Sequence, residues 1–187
     1  MKSGFVFGMI SAAAMLLVSA PAFAQGVGFS CPKPGTVEMR GGHTYSYAGV
    51  STRDPYFCTG TYDGKPMGKL FNFYPPGFLK TPNVRDGMVA LMTGKQTSVT
   101  LTLESGSTET WTLLRREPLT IGGKTYNTVV FSFDRHRYSN SRNPFHGKFT
   151  RWLDPANGLW LKATLDTMEG ETQLEYQPYV DSAVIIP

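Results

Sequence analysis

The chain has 187 residues, a formal net charge of +4 and two cysteines. That length suffices for one domain with a real core. The mildly basic balance is not that of a dedicated nucleic-acid binder, and no nucleic-acid partner is expected.

The first two dozen residues read as an export signal. Lys2 is followed by an apolar run from Phe5 to Val18, then by Ser19-Ala20-Pro21-Ala22-Phe23-Ala24. A charged start, an apolar middle and a small-x-small end are the parts of a cleavable secretory peptide. The apolar run falls short of the about 20 residues a spanning helix needs, which favours cleavage over an uncleaved anchor. We expect a signal over 1–24, cleavage after Ala24 to leave Gln25, and a single β-rich domain over 25–187. Cys31 stands too far past the A-F-A site to carry a lipid anchor. No later apolar run is long enough to cross a bilayer as a helix, so no transmembrane segment is expected after signal removal. The mature protein should reside in the periplasm or be secreted.

Cys31 and Cys58 both lie beyond the cleavage site. In an oxidising compartment an even pair is most simply a disulfide. The loop it closes is about 27 residues, for which chain entropy predicts roughly 3–4 kcal/mol. A thiol nucleophile or a metal ligand is the alternative, but no C-x-x-C spacing exists.

Beyond Thr36 the chain is punctuated by Gly, Pro, Asn and Asp, with short segments between. The amino-terminal third is irregular, with candidate strands at 43–50, 56–62 and 69–74. Pro75-Pro76-Gly77 breaks the chain, and 84–92 is the one candidate short helix. From there period-two alternation predicts strands at 98–104, 109–115, 126–133, 148–153, 159–166 and 172–176. Ser105-Gly106-Ser107, Gly122-Gly123 and Asp154-Pro155-Ala156-Asn157-Gly158 supply the turns, and Met168-Glu169-Gly170 is expected to close the last one. The fold expected is mainly β: a single-domain antiparallel meander forming a curved sheet, half-barrel or small barrel, with at most one short helix. Leu101, Trp111, Leu113, Phe131, Leu161 and Leu165 should share one core. Trp160 should face away from Leu159 and Leu161, because strand neighbours alternate.

Several of these segments carry a resemblance. Trp111, then Glu117-Pro118-Leu119-Thr120-Ile121, Gly123-Lys124-Thr125-Tyr126 and the stretch from Trp152 through Asp154-Pro155-Ala156-Asn157-Gly158 to Lys162 are its residues. Over roughly 88–179 the chain resembles a loose class of bacterial periplasmic and outer-membrane-associated β-meander proteins, most of unknown function. Its last hairpin is similar to those of lipoprotein-carrier-like half-barrels, which shelter acyl chains in an open curved sheet. The resemblance implies an envelope setting and no shared catalytic residues; the first third has no counterpart.

Catalytic chemistry is hard to nominate. There is no G-x-S-x-G elbow, and no glycine-rich phosphate cradle opens a helix, so no cofactor is expected. His43, His136 and His146 show no H-x-x-x-H spacing; His136 and His146 could meet across a hairpin beside Asp134 or Asp154, but no metal site is expected. Glu104, Glu109, Glu117, Glu169, Glu171 and Glu175 fall near turns or on polar strand faces, where solvated surface is the default.

One stretch departs from this background. Arg135, Arg137, Arg142, His146, Lys148 and Arg151 cluster together, with His136 among them and Tyr138, Phe145, Phe149 and Trp152 interleaved. Arginines grip phosphate and carboxylate through paired donors, and aromatics add flat apolar contact. If the cluster binds, its cations should converge on one face of the folded hairpin; otherwise it is a solvated loop that keeps an exposed strand from pairing. The function expected is an exported, non-enzymatic envelope protein that binds a lipid-like or anionic ligand: a lipid, lipopolysaccharide or acidic glycan. An apolar cavity would hold the ligand, with the basic loop at its mouth. Two alternatives are a structural or assembly partner of another envelope protein, and a glycan hydrolase using a carboxylate pair. Intact-mass analysis of protein recovered from the periplasm should find a chain beginning at Gln25; a full-length chain retaining Met1 would overturn the export reading.

Overall fold

A computed structural model of the chain describes residues 26–137, 145–170 and 183–185. The signal segment, Arg142 and the expected strand at 172–176 lie outside the described residues. Period-two alternation and tight turns build two antiparallel sheets. The first pairs β1 (Val37–Arg40), β2 (His43–Val50), β3 (Phe57–Tyr62) and β4 (Lys65–Leu70) in chain order. A 3-10 turn over Pro76–Lys80 and helix α1 (Pro82–Met92) lead to the second sheet. There β5 (Ser98–Thr102), β6 (Thr108–Ile121), β7 (Lys124–Arg137), β8 (Phe145–Asp154) and β9 (Leu159–Gly170) run as an uninterrupted meander. A short β10 (Ala183–Ile185) returns to pair with the free side of β1. Among the described residues the fold is mainly β with one α-helix, as expected, and neither sheet closes into a barrel.

Several local expectations hold and others need correction. Gly122 and Gly123 form the β6–β7 turn with φ of 56° and 80°, the left-handed pair that a two-residue hairpin requires. The expected strands at 109–115 and 126–133 are the paired halves of a much longer ribbon, with a bulge between Leu113 and Arg115. β1, not anticipated, pairs with β2 across the Gly41-Gly42 turn. The expected turn at 168–170 is part of β9. The expected strand at 69–74 stops at Leu70, because Phe71 and Asn72 take φ of 49° and 53°. That is left-handed backbone, which extended strands exclude.

The core centres on the inner face of the second sheet. Trp111 and Phe133 are register partners on β6 and β7, with ring centroids 4.5 Å apart, and Trp160 lies 5.6 Å from Trp111. Helix α1 begins with Pro82 in its first turn, where the missing amide costs nothing. Its Val84, Met88 and Leu91, at helical spacing, are fully buried in the same core as Val99 and Leu101 of β5. Leu113 and Leu165 pack at its margin. Leu161 departs from expectation: it joins Leu159, Tyr47 and Tyr126 in a second cluster. Trp160 therefore does face away from both leucines, as strand alternation requires.

The amino-terminal residues run as an irregular strap across this core. Val27 N–H donates to Met92 O at 2.8 Å and Ser30 N–H to Pro155 O at 2.8 Å. Cys31 is joined to Cys58 of β3 by the expected disulfide, with Cα atoms 5.3 Å apart. Gly158 shows how closely the strap lies: a Cβ there would collide with Ser30 O.

The turn at Phe71–Asn72 joins the sheets. Asn72 Nδ2 donates to Tyr47 Oη and to Gly158 O, each at 2.9 Å, and Trp160 Nε1 donates to Phe71 O at 3.0 Å. Asn72→Ala removes both bonds and replaces a residue that tolerates left-handed backbone better than Ala does. It should lower unfolding free energy by about 2–4 kcal/mol, read from the denaturant midpoint.

Candidate functional site

Alternation decides where the basic stretch goes. On β7, Arg135 continues in phase with Phe131 and Phe133, and on β8 Arg151 is in phase with Phe149 and Leu153. Both arginines therefore point with the core face. Arg135 Nε donates to Glu109 Oε1 at 2.7 Å, and that carboxylate is wholly buried. Arg151 is only 8% exposed; its guanidinium lies 5.0 Å from the ring centroids of both Phe73 and Phe133 and 5.6 Å from that of Phe149. Arg137 follows Arg135 on that face, half-buried.

His146 and Lys148 face the other way. Their register partners are His136 and Asp134, on the side of the sheet opposite Arg135 and Arg151. The expected convergence of Arg135, Arg137, Lys148 and Arg151 on one face does not occur, because one-residue offsets in a strand reverse the side chain. His136 and His146 do meet across the hairpin, beside Asp134 and not Asp154: their rings stack with centroids 3.7 Å apart.

Of the acidic residues, Glu104 is exposed as expected, whereas Glu109 departs from a solvated default and Glu117 is held by neighbouring donors. Glu109 binds Arg135 and accepts a short hydrogen bond from Tyr74 Oη, which in turn accepts Trp111 Nε1–H at 2.8 Å. Burial, reinforced by Glu109, pushes the Tyr74 phenol well above its ordinary range. Glu117 accepts from Arg115 Nε at 2.7 Å and Trp152 Nε1 at 2.6 Å, and these bonds hold its carboxyl below the ordinary carboxylate range. Glu171 and Glu175 lie outside the described residues.

A second charged constellation sits on the first sheet, and sequence inspection did not single it out. Glu38 and Arg40 on β1 share a face with His43, Tyr45 and Tyr47 on β2. Glu38 is wholly buried; Arg40 Nε donates to its Oε1 at 3.0 Å and Tyr47 Oη to its Oε2 at 2.7 Å. Arg40 also donates to Trp160 O at 3.1 Å, which brings this corner against the second sheet. Beside it opens a cleft of about 340 Å³, lined by Arg40, His43, Tyr45, Lys69, Asn72 and Phe73.

Lys69 is the notable group in this cleft. Its ammonium lies 4.7 Å from the Tyr45 ring centroid, and the Arg40 guanidinium lies 5.4 Å from the same centroid. Burial, and then the charge of Arg40, hold the Lys69 amine below the ordinary lysine range; Glu38 pulls the other way. Both Glu38 oxygens are engaged by Arg40 and Tyr47. Among the described residues no ion pair joins Lys69 to a carboxylate. At the cleft rim His43 Nδ1 lies 2.7 Å from Asp63 Oδ2. The Thr44 amide and His43 hold the Asp63 carboxyl below its ordinary range.

The signal for this cleft was present but scattered: Arg40, Tyr45 and Lys69 alternate on three strands whose pairing only the fold supplies. No family model, curated protein or solved structure matches the chain.

The depressed Lys69 amine predicts a pH dependence. The unfolded chain binds this proton more readily than the folded one, so the penalty is complete below the folded pKa and fades as pH rises toward the unfolded value. Lys69→Met should raise the melting temperature at pH 7. The gain over the parent should shrink on approaching pH 10; a constant difference across that range would contradict the assignment.

Proposed function

We propose that this chain is an exported binding protein of the bacterial envelope, and that it takes an anionic group in the cleft between β2, β4 and the Phe71–Asn72 turn. The observation that carries the reading is Lys69: a half-buried cation against the Tyr45 ring and beside Arg40, with its desolvation only partly offset by Glu38, whose oxygens bind Arg40 and Tyr47. A phosphate or carboxylate entering the cleft would offset both the burial and the repulsion from Arg40. The Tyr45 ring beside the cations and the Phe73 ring in the cleft wall add flat apolar contact for the body that bears the charge.

The rest of the molecule is consistent with export and with recognition of a polar group. The Cys31–Cys58 disulfide suits an oxidising compartment. None of the described helices is long and apolar enough to cross a membrane. The interior where an acyl chain would be expected is filled by Trp111, Phe131, Phe133 and Trp160, all at 0–1% exposure. This favours the charged head of a lipid or lipopolysaccharide, or an acidic glycan, over a buried hydrocarbon tail. The buried carboxylates Glu38 and Glu109 are each held by an arginine and a tyrosine in separate sheets, which argues against a facing hydrolytic pair.

Calorimetric titration with inorganic phosphate and flotation with phosphatidylglycerol vesicles test the proposal and separate a free anion from a lipid head. Binding should weaken as salt rises. Lys69→Met should cost about 10–100-fold in affinity, the value of one charge-assisted hydrogen bond. Equal binding by parent and Lys69→Met at low salt would reject the cleft as the site.

A further inference from the structure

The outer face of the β7–β8 hairpin carries a second constellation, independent of the cleft. His136 and His146 are direct register partners, and Asp134 stands two residues before His136 on the same face. The Asp134 Oδ1 atom lies 2.9 Å from His146 Nε2 and 3.4 Å from His136 Nε2. Two imidazole nitrogens thus address one carboxylate oxygen, and one donor atom from each of the three residues lies within 4.8 Å of the others. Asp134 and His146 are about one-third exposed and His136 about half, so the group is open to solvent.

From this geometry we infer a binding site for one divalent transition-metal ion, of the zinc or copper class, held by Asp134, His136 and His146. The separations suit such an ion. Ligands bonded at about 2.0–2.1 Å to a tetrahedral or octahedral centre stand about 2.9–3.4 Å apart from their neighbours. The Asp134 oxygen already keeps those separations from both Nε2 atoms. The donor set selects the class of ion: imidazole suits Zn²⁺ and Cu²⁺, whereas Mg²⁺ and Ca²⁺ prefer oxygen throughout.

The scaffold favours the arrangement. All three ligands come from one antiparallel pair, in which cross-strand positions are fixed by backbone hydrogen bonds. Behind them, on the core face, Phe133, Arg135 and Phe149 are packed and anchor the same strands. The stacked imidazoles, 18° from parallel, must rotate apart to aim both lone pairs at one ion, and the exposure of His136 leaves room for this. Three protein ligands leave one or more coordination positions for water or an exogenous donor. The sequence carries no H-x-x-x-H motif for this site, because its two histidines meet across a hairpin and not along one helix.

Isothermal titration of the mature protein with ZnCl₂, and separately with CuCl₂, in a non-coordinating buffer tests the site. One ion should bind per chain, and MgCl₂ should give no comparable heat. His136→Ala should weaken binding at least about tenfold, since loss of a ligand costs no less than loss of its supporting contacts. His146→Gln should do the same, with circular dichroism reporting whether that half-buried variant keeps its sheet. If it unfolds, the exposed His136→Ala decides. Co²⁺ substitution should give visible absorption in the parent that is lost in His136→Ala. No transition-metal binding by the parent, or equal binding by His136→Ala, would overturn the site.

Discussion

The structure depends on a turn that a folded chain adopts only under constraint. Phe71 and Asn72 both occupy left-handed backbone, a conformation that costs a residue with a side chain about 1–3 kcal/mol. It persists because four hydrogen bonds to distant parts of the chain hold it: two from Asn72 itself, to Tyr47 and Gly158, one from the Phe71 amide to Tyr56 O, and one from Trp160 to Phe71 O. The turn reverses the chain at the end of β4, buries Phe71 and Tyr74, and leaves Phe73 among Trp111, Phe133 and Trp160. It thereby joins the two sheets and shapes the wall of the cationic cleft.

Charge is handled the same way on both sides of that turn. Among the described residues each sheet buries one glutamate completely, and each is shared by one arginine and one tyrosine: Glu38 with Arg40 and Tyr47, Glu109 with Arg135 and Tyr74. A buried carboxylate without such partners would be untenable, and a buried arginine likewise. These sets occupy cations that look surface-bound in the sequence. Lys69 differs: it is half-buried beside Arg40, with both Glu38 oxygens already engaged.

The two faces of the β7–β8 hairpin have separate tasks. The inner face stacks Arg151 on aromatic rings and pairs Arg135 with Glu109, so its polar groups serve packing. The outer face gathers Asp134, His136 and His146 where solvent reaches them. A single strand can present both because neighbouring residues point in opposite directions, so a continuous run of basic and aromatic residues is divided between core and surface.

The sequence alone determined the local periodicities: the meander from β5 to β9, helix α1, the Gly122-Gly123 turn, the disulfide pair, and Trp160 facing away from Leu159 and Leu161. These follow from alternation and turn chemistry, which act between neighbours in the chain. Alternation says which residues share a side, but not what lies on that side. Arg135 and Arg151 were legible as in phase with Phe133 and Phe149; that the phase leads into a packed core, with Glu109 waiting across the sheet, was not. Tertiary structure alone decided that β4 ends at a left-handed turn, that Leu161 joins a second cluster, and that Arg40, Tyr45 and Lys69 line one cleft. It also decided that His136 and His146 stand opposite each other beside Asp134, because cross-strand register is set by bulges, long hairpins and contacts between residues far apart in the chain.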